Sequence, residues 1–570
     1  MTSRVLKNKL NPTFGLFKST VRKNLGVIVL LAVGVLILCP GLFLTTLSHI
    51  NIKPYGFRPE SPTYLDILFG VCGFASAVFV AVGNFISFSF LYKKNSSDVF
   101  HSLPLTRTGL FVSRAAASFV TVAIPLTLGY ASLFALTAFY PTYLLGTFAQ
   151  ILSAYLVNLL CMLFVSGFTL IFIVCAGSTF DLIISFAGFN AAISVVGLII
   201  SNLSSGYLSG YSAENTGSIL KAVSPMAYCA ASAVEFALGG AENAYSISGN
   251  IGFILITLGG SAAFIIASIL LFGHRKTERG GQAYAYKFIY VICSILAGIC
   301  GGYILSTIFS LAGDEKPVSY LGVISFIPGA LLTVTVYGAV TERGFKKFKK
   351  SLVYGAVSAA AYFVILAVIM SGAFGFSTRV PEKNDVSYVE IICADTVLNL
   401  DDSTPAIALH KAIIDKDAND FEESVLTTPH NGVNIHYQLK NGREMFREYY
   451  ADMDKVGDEM FAALNAGERF DDYLKAVEKL NSDSVEIDVY DYNNEPYNCI
   501  GTKKQLKEFI KAYREDFARH GKKIVYGQDT LSVTVYSKQT EGDEYVFEIA
   551  MTDDFTETLS VLGGFKRIEY

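Results

Sequence analysis

The residues able to carry chemistry are few and dispersed. Seven histidines are scattered over 570 residues. His410, His430, His436 and His520 fall in the last third without the close spacing of zinc ligands. No GxxxxGK[ST] phosphate loop, HExxH, GxSxG or EF-hand loop occurs. No metal site, no catalytic set and no nucleotide site of the chain's own is therefore expected. Charged, aromatic and turn residues converge instead in one short basic loop, residues 93–111, reading KKNSSDVFHSLPLTRTGLF. Asp98 can cap a short helix carrying Val99, Phe100 and Leu103. Pro104 ends that helix, and Arg107 can hold a carbonyl or carboxylate on a neighbouring molecule. His101, Ser102 and Phe111 complete the stretch. On these residues alone two readings stand: a stretch that docks on a neighbouring molecule, or a basic loop resting on lipid headgroups.

A second concentration lies near the C-terminus, where Tyr437, Arg443, Arg447 and Tyr449 surround an Asn-Gly-Arg turn. Charge patterning predicts helices over 443–450, 455–464 and 468–480. On a helix, Arg443 and Arg447 share a face at i, i+4. Tyr437, Arg443 and Arg447 are candidate contacts for an anionic ligand; pairing with neighbouring acids such as Glu444 and Glu448 is the alternative. Cys39, Cys72, Cys161, Cys175, Cys293 and Cys300 lie in apolar runs and read as small hydrophobic residues. Cys393 and Cys499 are the candidate disulfide.

Two dissimilar parts carry these groups. The chain is 52% hydrophobic and only 16% charged, with a mean hydropathy of +0.44. Such a composition disfavours a soluble cytosolic enzyme, a disordered chain and a nucleic-acid binder. Residues 1–376 hold 23 Lys and Arg against 11 Asp and Glu, whereas residues 377–570 hold 22 against 38. A basic-edged apolar part is thus joined to an acidic, water-soluble one.

A membrane-spanning helix needs roughly 20 apolar residues. Nine runs qualify: 25–47, 65–92, 114–139, 148–176, 180–203, 251–272, 288–311, 318–340 and 352–376. Residues 148–203 are almost uninterrupted, yet one helix of that length would reach about 80 Å. Gly177, Ser178 and Asp181 supply the break, and Asp181 belongs at an interface. The first run is too long and starts too late for a cleaved signal peptide. With this alternation, nineteen Lys and Arg fall on one side and four on the other. The positive-inside rule then makes the N-terminus cytoplasmic and the acidic C-terminal part extracytoplasmic. Between the fifth and sixth runs, residues 204–250 read as short outer helices interrupted at Pro225, dipping into the interface.

Ionisable residues are nearly missing from the centres of the runs, which disfavours a proton-coupled antiporter or an ion channel. Asn84, Asn158 and Asn190 are the main strongly polar residues there and read as interhelical glue. Gly298 and Gly302 form a GxxxG close-packing face. Asp66, Asp181, Glu235 and Glu242 are the acids a membrane enzyme would need, but the topology puts Asp181 opposite the other three. The acidic tail reads as α+β, with strands at 386–393, 433–439, 484–491, 496–500, 530–537 and 544–551. Helices are expected at 404–417, 502–519 and 554–562, in one domain or two similar halves.

The string DVFHSLPLTRTGLFVSR, residues 98–114, resembles the loop after the second span in ABC-2-type ABC transporter permeases of Gram-positive bacteria, which carry an HSLP-hydrophobic-[ST]-R…LF segment there. LFGHRKTERGG, residues 271–281, is similar to that family's segment after the sixth span. SPMAYC, residues 224–229, sits where the family carries outer re-entrant helices. The last three spans and the tail resemble a larger subtype with a C-terminal extracytoplasmic domain, whose strand–NGR–helix pattern is similar to residues 435–450.

The reading is an α-helical polytopic membrane protein of about nine spans with a C-terminal α+β extracytoplasmic domain. It comprises a cytoplasmic N-terminal segment (1–24), a six-span core (25–280) with coupling loop 93–113 and outer segment 204–250, three further spans (281–376) and the outer domain (377–570). The resemblance implies a permease subunit of an ATP-driven exporter, not itself catalytic. ATP would bind a partner ATPase docking on Asp98, Phe100, His101, Ser102, Leu103, Pro104, Arg107 and Phe111. Arg275, Lys276 and Glu278 would mark the segment after the sixth span. A second permease subunit, identical or related, and the bilayer of a bacterial plasma membrane are the other partners implied. The alternatives are a membrane sensor whose outer domain binds a ligand, or a secondary transporter.

Overall fold

A computed structural model of the chain describes residues 2–52, 63–93, 100, 102–139, 147–238, 251–276, 284–311, 320–341, 344–345, 348–393, 396–400, 402–419, 432–441, 443–467, 470–480, 484–491, 497–526, 530–539 and 542–568. It divides into two compact units. One is Met1–Gly206 with Thr216–Ala367; the other is Tyr207–Asn215 with Val368–Tyr570.

Among its described residues the first unit is built of helices, with one isolated antiparallel bridge, Ala176 to Tyr284. Its helices are α1 (Thr2–Lys23), α2 (Leu25–Ile52), α3 (Thr63–Phe88), α4 (Arg107–Phe139), α5 (Thr147–Cys175) and α6 (Thr179–Tyr207). There follow α7 (Asn215–Val223), α8 (Pro225–Leu238), α9 (Ile251–His274), α10 (Lys287–Ser310), α11 (Tyr320–Thr341) and α12 (Phe348–Met370). Among the described residues, eight helices are long and apolar enough to cross a membrane, or up to nine if Pro12–Lys23 and Leu25–Gly41, bent by 55°, form one span. The chain is a helical membrane protein with a strand-containing C-terminal domain.

Each apolar run of the sequence coincides with one helix. The largest shift in a helix start is at α4, which begins at Arg107 rather than residue 114. Thr106 caps it, its hydroxyl accepting from the Gly109 amide at 3.1 Å. The break between α5 and α6 falls at Gly177 and Ser178. Ser178 accepts from the Asp181 amide at 3.1 Å and its hydroxyl donates to the buried Asp181 carboxylate. Cap and carboxylate thus satisfy each other where a new helix must start.

Ser224 separates α7 from α8 and caps the latter, with Pro225 in the first position. Helix α8 folds back into the bundle: Cys229 lies beside Cys161 of α5, and Tyr228 stacks on Phe253 of α9. Asn84 joins α3 to α5 by donating to Ser166 Oγ at 3.1 Å, and Asn158 joins α5 to α4 through the Tyr130 hydroxyl. Asn190 instead bonds within its own helix, to the Phe186 carbonyl. A Cβ on Gly301 would come within 1.8 Å of Thr333 Oγ1, and one on Gly302 within 2.7 Å of the Phe326 ring. The glycine face of α10 therefore lets α11 approach to backbone contact.

The second unit holds two antiparallel sheets around one continuous core that includes Val389, Ile435, Ile487 and Val533. Its elements are β1 (Val386–Cys393), β2 (Thr396–Leu400), α13 (Thr404–Asp415), β3 (Gly432–Leu439), β4 (Glu444–Tyr450), α14 (Met453–Gly467) and α15 (Phe470–Lys479). Next come β5 (Ser484–Asp491), β6 (Tyr497–Thr502), α16 (Lys503–His520), β7 (Thr530–Gln539), β8 (Gly542–Thr552), α17 (Thr556–Leu562) and β9 (Lys566–Ile568). The sheet orders are β2-β1-β3-β4 and β8-β7-β5-β6-β9. Each half runs hairpin, helix, hairpin, helix with its hairpins paired through their first strands; α15 between the halves and β9 beside β6 are additions. The unit is thus two halves of like topology.

Residues 443–450 are not helical. Glu444–Tyr450 is strand β4, paired along its length with β3. Phe446, Tyr449 and Tyr450 favour a strand, and the turn at Asn441 returns the chain antiparallel. Cys393 and Cys499 are both free thiols, buried in different sheets.

Candidate functional site

The four C-terminal carbonyls of a helix have no partner within it and carry partial negative charge. Where α3, α5 and α9 end, arginines from other segments take up these carbonyls. Arg114 of α4 donates through Nη1 to the Ser87 carbonyl at the end of α3. Arg275, buried just after α9, donates to the Ile173 and Val174 carbonyls of α5 at 3.0 and 2.8 Å. Arg107 opens α4 and donates to the Gly273 and Arg275 carbonyls, both at 3.1 Å. The planar guanidinium suits two carbonyls at once where an ammonium would not. The result is a clasp in which each arginine ties its own segment to the end of another helix.

Aromatic rings fill the space between. Phe111 packs between Phe88 and Phe272, with centroids 5.2 and 5.1 Å away. The Arg114 guanidinium lies 4.1 Å from the Phe100 ring and 4.7 Å from the Phe90 ring. Tyr92, at the end of the 3-10 turn Ser89–Tyr92, donates to the Ile173 carbonyl at 2.9 Å beneath Arg275. The lead into α10 is strapped over the same end: Ala285 and Tyr286 amides donate to the Cys175 carbonyl, and the Tyr286 hydroxyl to Leu271. Tyr284 then bonds Ser185 of α6 at 2.9 Å and Tyr337 of α11 at 3.3 Å. Displacement of the α3–α4 loop would therefore be felt by α3, α5, α9 and, through α5, by α10.

The structure brings Phe100, Arg107, Phe111 and Arg275 together. Arg107, exposed on its outer side, holds carbonyls of its own chain. Phe100 and Phe111 are anchors, whereas Ser102 and Pro104 are exposed and Leu103 is half-buried. Lys276 is exposed. Asp98, His101 and Glu278 lie outside the described residues, as do His430, Glu242 and the side chains of Asp66 and Glu235. The sequence reading missed Arg114 and Tyr92 as parts of this site. Arg107, Phe111 and Arg114 at i, i+4, i+7 were the available signal once the helix is started at Arg107.

No family model matches this chain, and neither a curated protein nor a solved structure matches it. Function must be argued from the chain's own geometry.

The second candidate cluster is interior. Tyr437 is fully buried, donating to the Ala406 carbonyl at 3.2 Å. His410 of α13 lies between it and Tyr449, at 3.2 and 2.8 Å from their hydroxyls. One tautomer satisfies everything: Nδ1–H donates to Tyr437, and Nε2 accepts from Tyr449. Burial pushes His410 down to about 3, aided by the Arg447 charge, and pushes Tyr449 up to about 12. Arg447 is buried, donates to the Phe376 carbonyl at 3.1 Å and stacks 3.8 Å over the Phe376 ring. Arg443 alone of this group is exposed, in the turn before β4. The cluster also seats residues 207–215 of the same unit. Gly210 sits at φ +76° directly against Tyr449, Asn419 donates to Ser209 at 3.0 Å, and Asn215 donates to the Phe446 carbonyl at 3.3 Å. Among the described residues no group of three His, Cys, Asp or Glu could hold a metal ion.

Proposed function

We propose that the chain is the membrane permease subunit of an ATP-driven ABC transporter, working as an exporter. ATP binding and hydrolysis occur on a separate ATPase that docks on the loop before α4. The observation that carries this reading is the arginine clasp. A docking loop must convert a push on its exposed face into motion of the spans; Arg107 and Arg114 join that loop to the ends of α9 and α3, and Arg275 ties the end of α9 on to α5. Ser102, Leu103 and Pro104 present the face, while Phe100 and Phe111 root it. The lysine and arginine distribution supports a cytoplasmic N-terminus and an extracytoplasmic C-terminal domain in a bacterial plasma membrane. Two such subunits, identical or related, would form the path.

A second reading is a sensor, in which the C-terminal domain receives a ligand and relays it inward. Its support is the seating of residues 207–215 against β4, since that segment leads straight into α7. Purification of the tagged chain in mild detergent separates the two. The permease reading expects a co-purifying P-loop ATPase in stoichiometric amount with ATP hydrolysis. Its absence in several detergents and in nanodiscs would favour the sensor.

A further inference from the structure

We propose that α1 carries a binding site for the phosphodiester headgroup of an anionic phospholipid. The sequence supplies Arg4, Lys7, Lys9, Lys18, Arg22 and Lys23 in its first 23 residues and no acid before Glu60. Helix α1 meets the apolar helix α2 at a 55° bend, so it leaves the axis of α2 where the apolar sequence begins. Its rotation is fixed by the bundle. Leu16 packs into the core around Phe111, Thr13 lies against the start of α4, and Asn24 donates to Thr121 at 3.3 Å.

That seating turns one face outward. Gly15, Lys18, Ser19, Arg22 and Lys23 recur at helical spacing and line a shallow, open groove along that face. All five are exposed, and among the described residues none of the three cations has an ion-pair partner. The helix C-terminus accounts for cations at Arg22 and Lys23. It does not account for Lys18, a full turn earlier, or for the hydroxyl of Ser19 between them. Lys18 and Arg22 at i, i+4 repel each other until an anion sits between. The floor of the groove is Gly15, where a Cβ would meet nothing within 4 Å. Beside it Phe14, 65% exposed and one turn from Lys18, offers apolar surface where acyl chains begin. Cations, a hydroxyl donor, an open floor and an adjoining apolar ring match a phosphodiester with its glycerol. This site rests on membrane embedding alone and stands whether or not the chain is a permease.

The test uses the full chain in nanodiscs of phosphatidylcholine doped with phosphatidylglycerol. Native mass spectrometry after extraction counts the retained phosphatidylglycerol. The wild type should retain it. Lys18→Gln with Arg22→Gln should weaken retention roughly 30-fold. Gly15→Leu, which fills the floor, keeps every charge and favours the helix, should also lose it. Lys349→Gln with Lys350→Gln should retain it, and inorganic phosphate should not displace it. Full retention by Gly15→Leu, or equal loss in the Lys349 and Lys350 variant, would overturn the proposal in favour of diffuse surface charge. Displacement by inorganic phosphate would overturn the assignment to a lipid.

Discussion

His410 gives the C-terminal domain a calculable acid sensitivity. Unfolded, the imidazole titrates near 6.5; folded, it titrates at about 3, because burial and the Arg447 charge disfavour the cation. The unfolded chain therefore binds more protons between those values, so stability falls as pH falls through that window. Above about pH 6.5 the group costs nothing. At pH 5 the linkage amounts to about 2 kcal/mol, and the complete window to about 5 kcal/mol. His410→Gln removes the titration. Hydrogen exchange of peptides covering α13, β3 and β4 in the full chain measures opening free energies once intrinsic rates are corrected for pH. Between pH 7 and pH 5 the wild type should lose about 2 kcal/mol more than His410→Gln. Equal losses in the two proteins would mean that His410 is solvated or charged and that the tyrosine–histidine arrangement is wrong.

Other substitutions probe separate contacts. Gly210→Ala places a Cβ 2.5 Å from the Tyr449 hydroxyl at a left-handed φ, and should cost the domain about 1–3 kcal/mol, read by the same exchange peptides. Gly301→Val should push α11 off α10 and lower stability in detergent by about 1–3 kcal/mol, while Gly273→Ala, with nothing within 4 Å, should cause no loss. Arg107→Gln should leave ATPase association intact yet weaken coupled ATP hydrolysis roughly fivefold to tenfold, because it frees the loop from the Gly273 and Arg275 carbonyls. Unchanged coupled hydrolysis in that variant would show that the clasp transmits nothing.

The spans were legible because a bilayer demands a run of about 20 apolar residues, and that demand overrides local propensity. The turn at Gly177 and Ser178 was legible for the same reason: one helix cannot be twice too long. The 443–450 segment was misread because charges at i, i+4 imitate a helix surface, while its aromatic residues and the preceding turn favour a strand. Strands β2 and β9, at five and three residues, are too short to show an alternation. In the candidate site, Phe100, Arg107, Phe111 and Arg275 were singled out from the sequence, and the structure brings them together. Arg107's acceptors within the chain were not legible, since they lie 166 and 168 residues further on. The start of α4 was likewise obscured, because hydropathy marks where apolar sequence begins and not where the helix does.

The proposed docking of an ATPase on the α3–α4 loop is tested most directly by a photo-cross-linking residue at the exposed position Ser102. Irradiation of native membranes containing the full chain should give a cross-linked adduct whose peptides come from a P-loop ATPase. The same probe at Lys349 should give none. An ATPase adduct missing at Ser102, or formed equally from Lys349, would contradict the account.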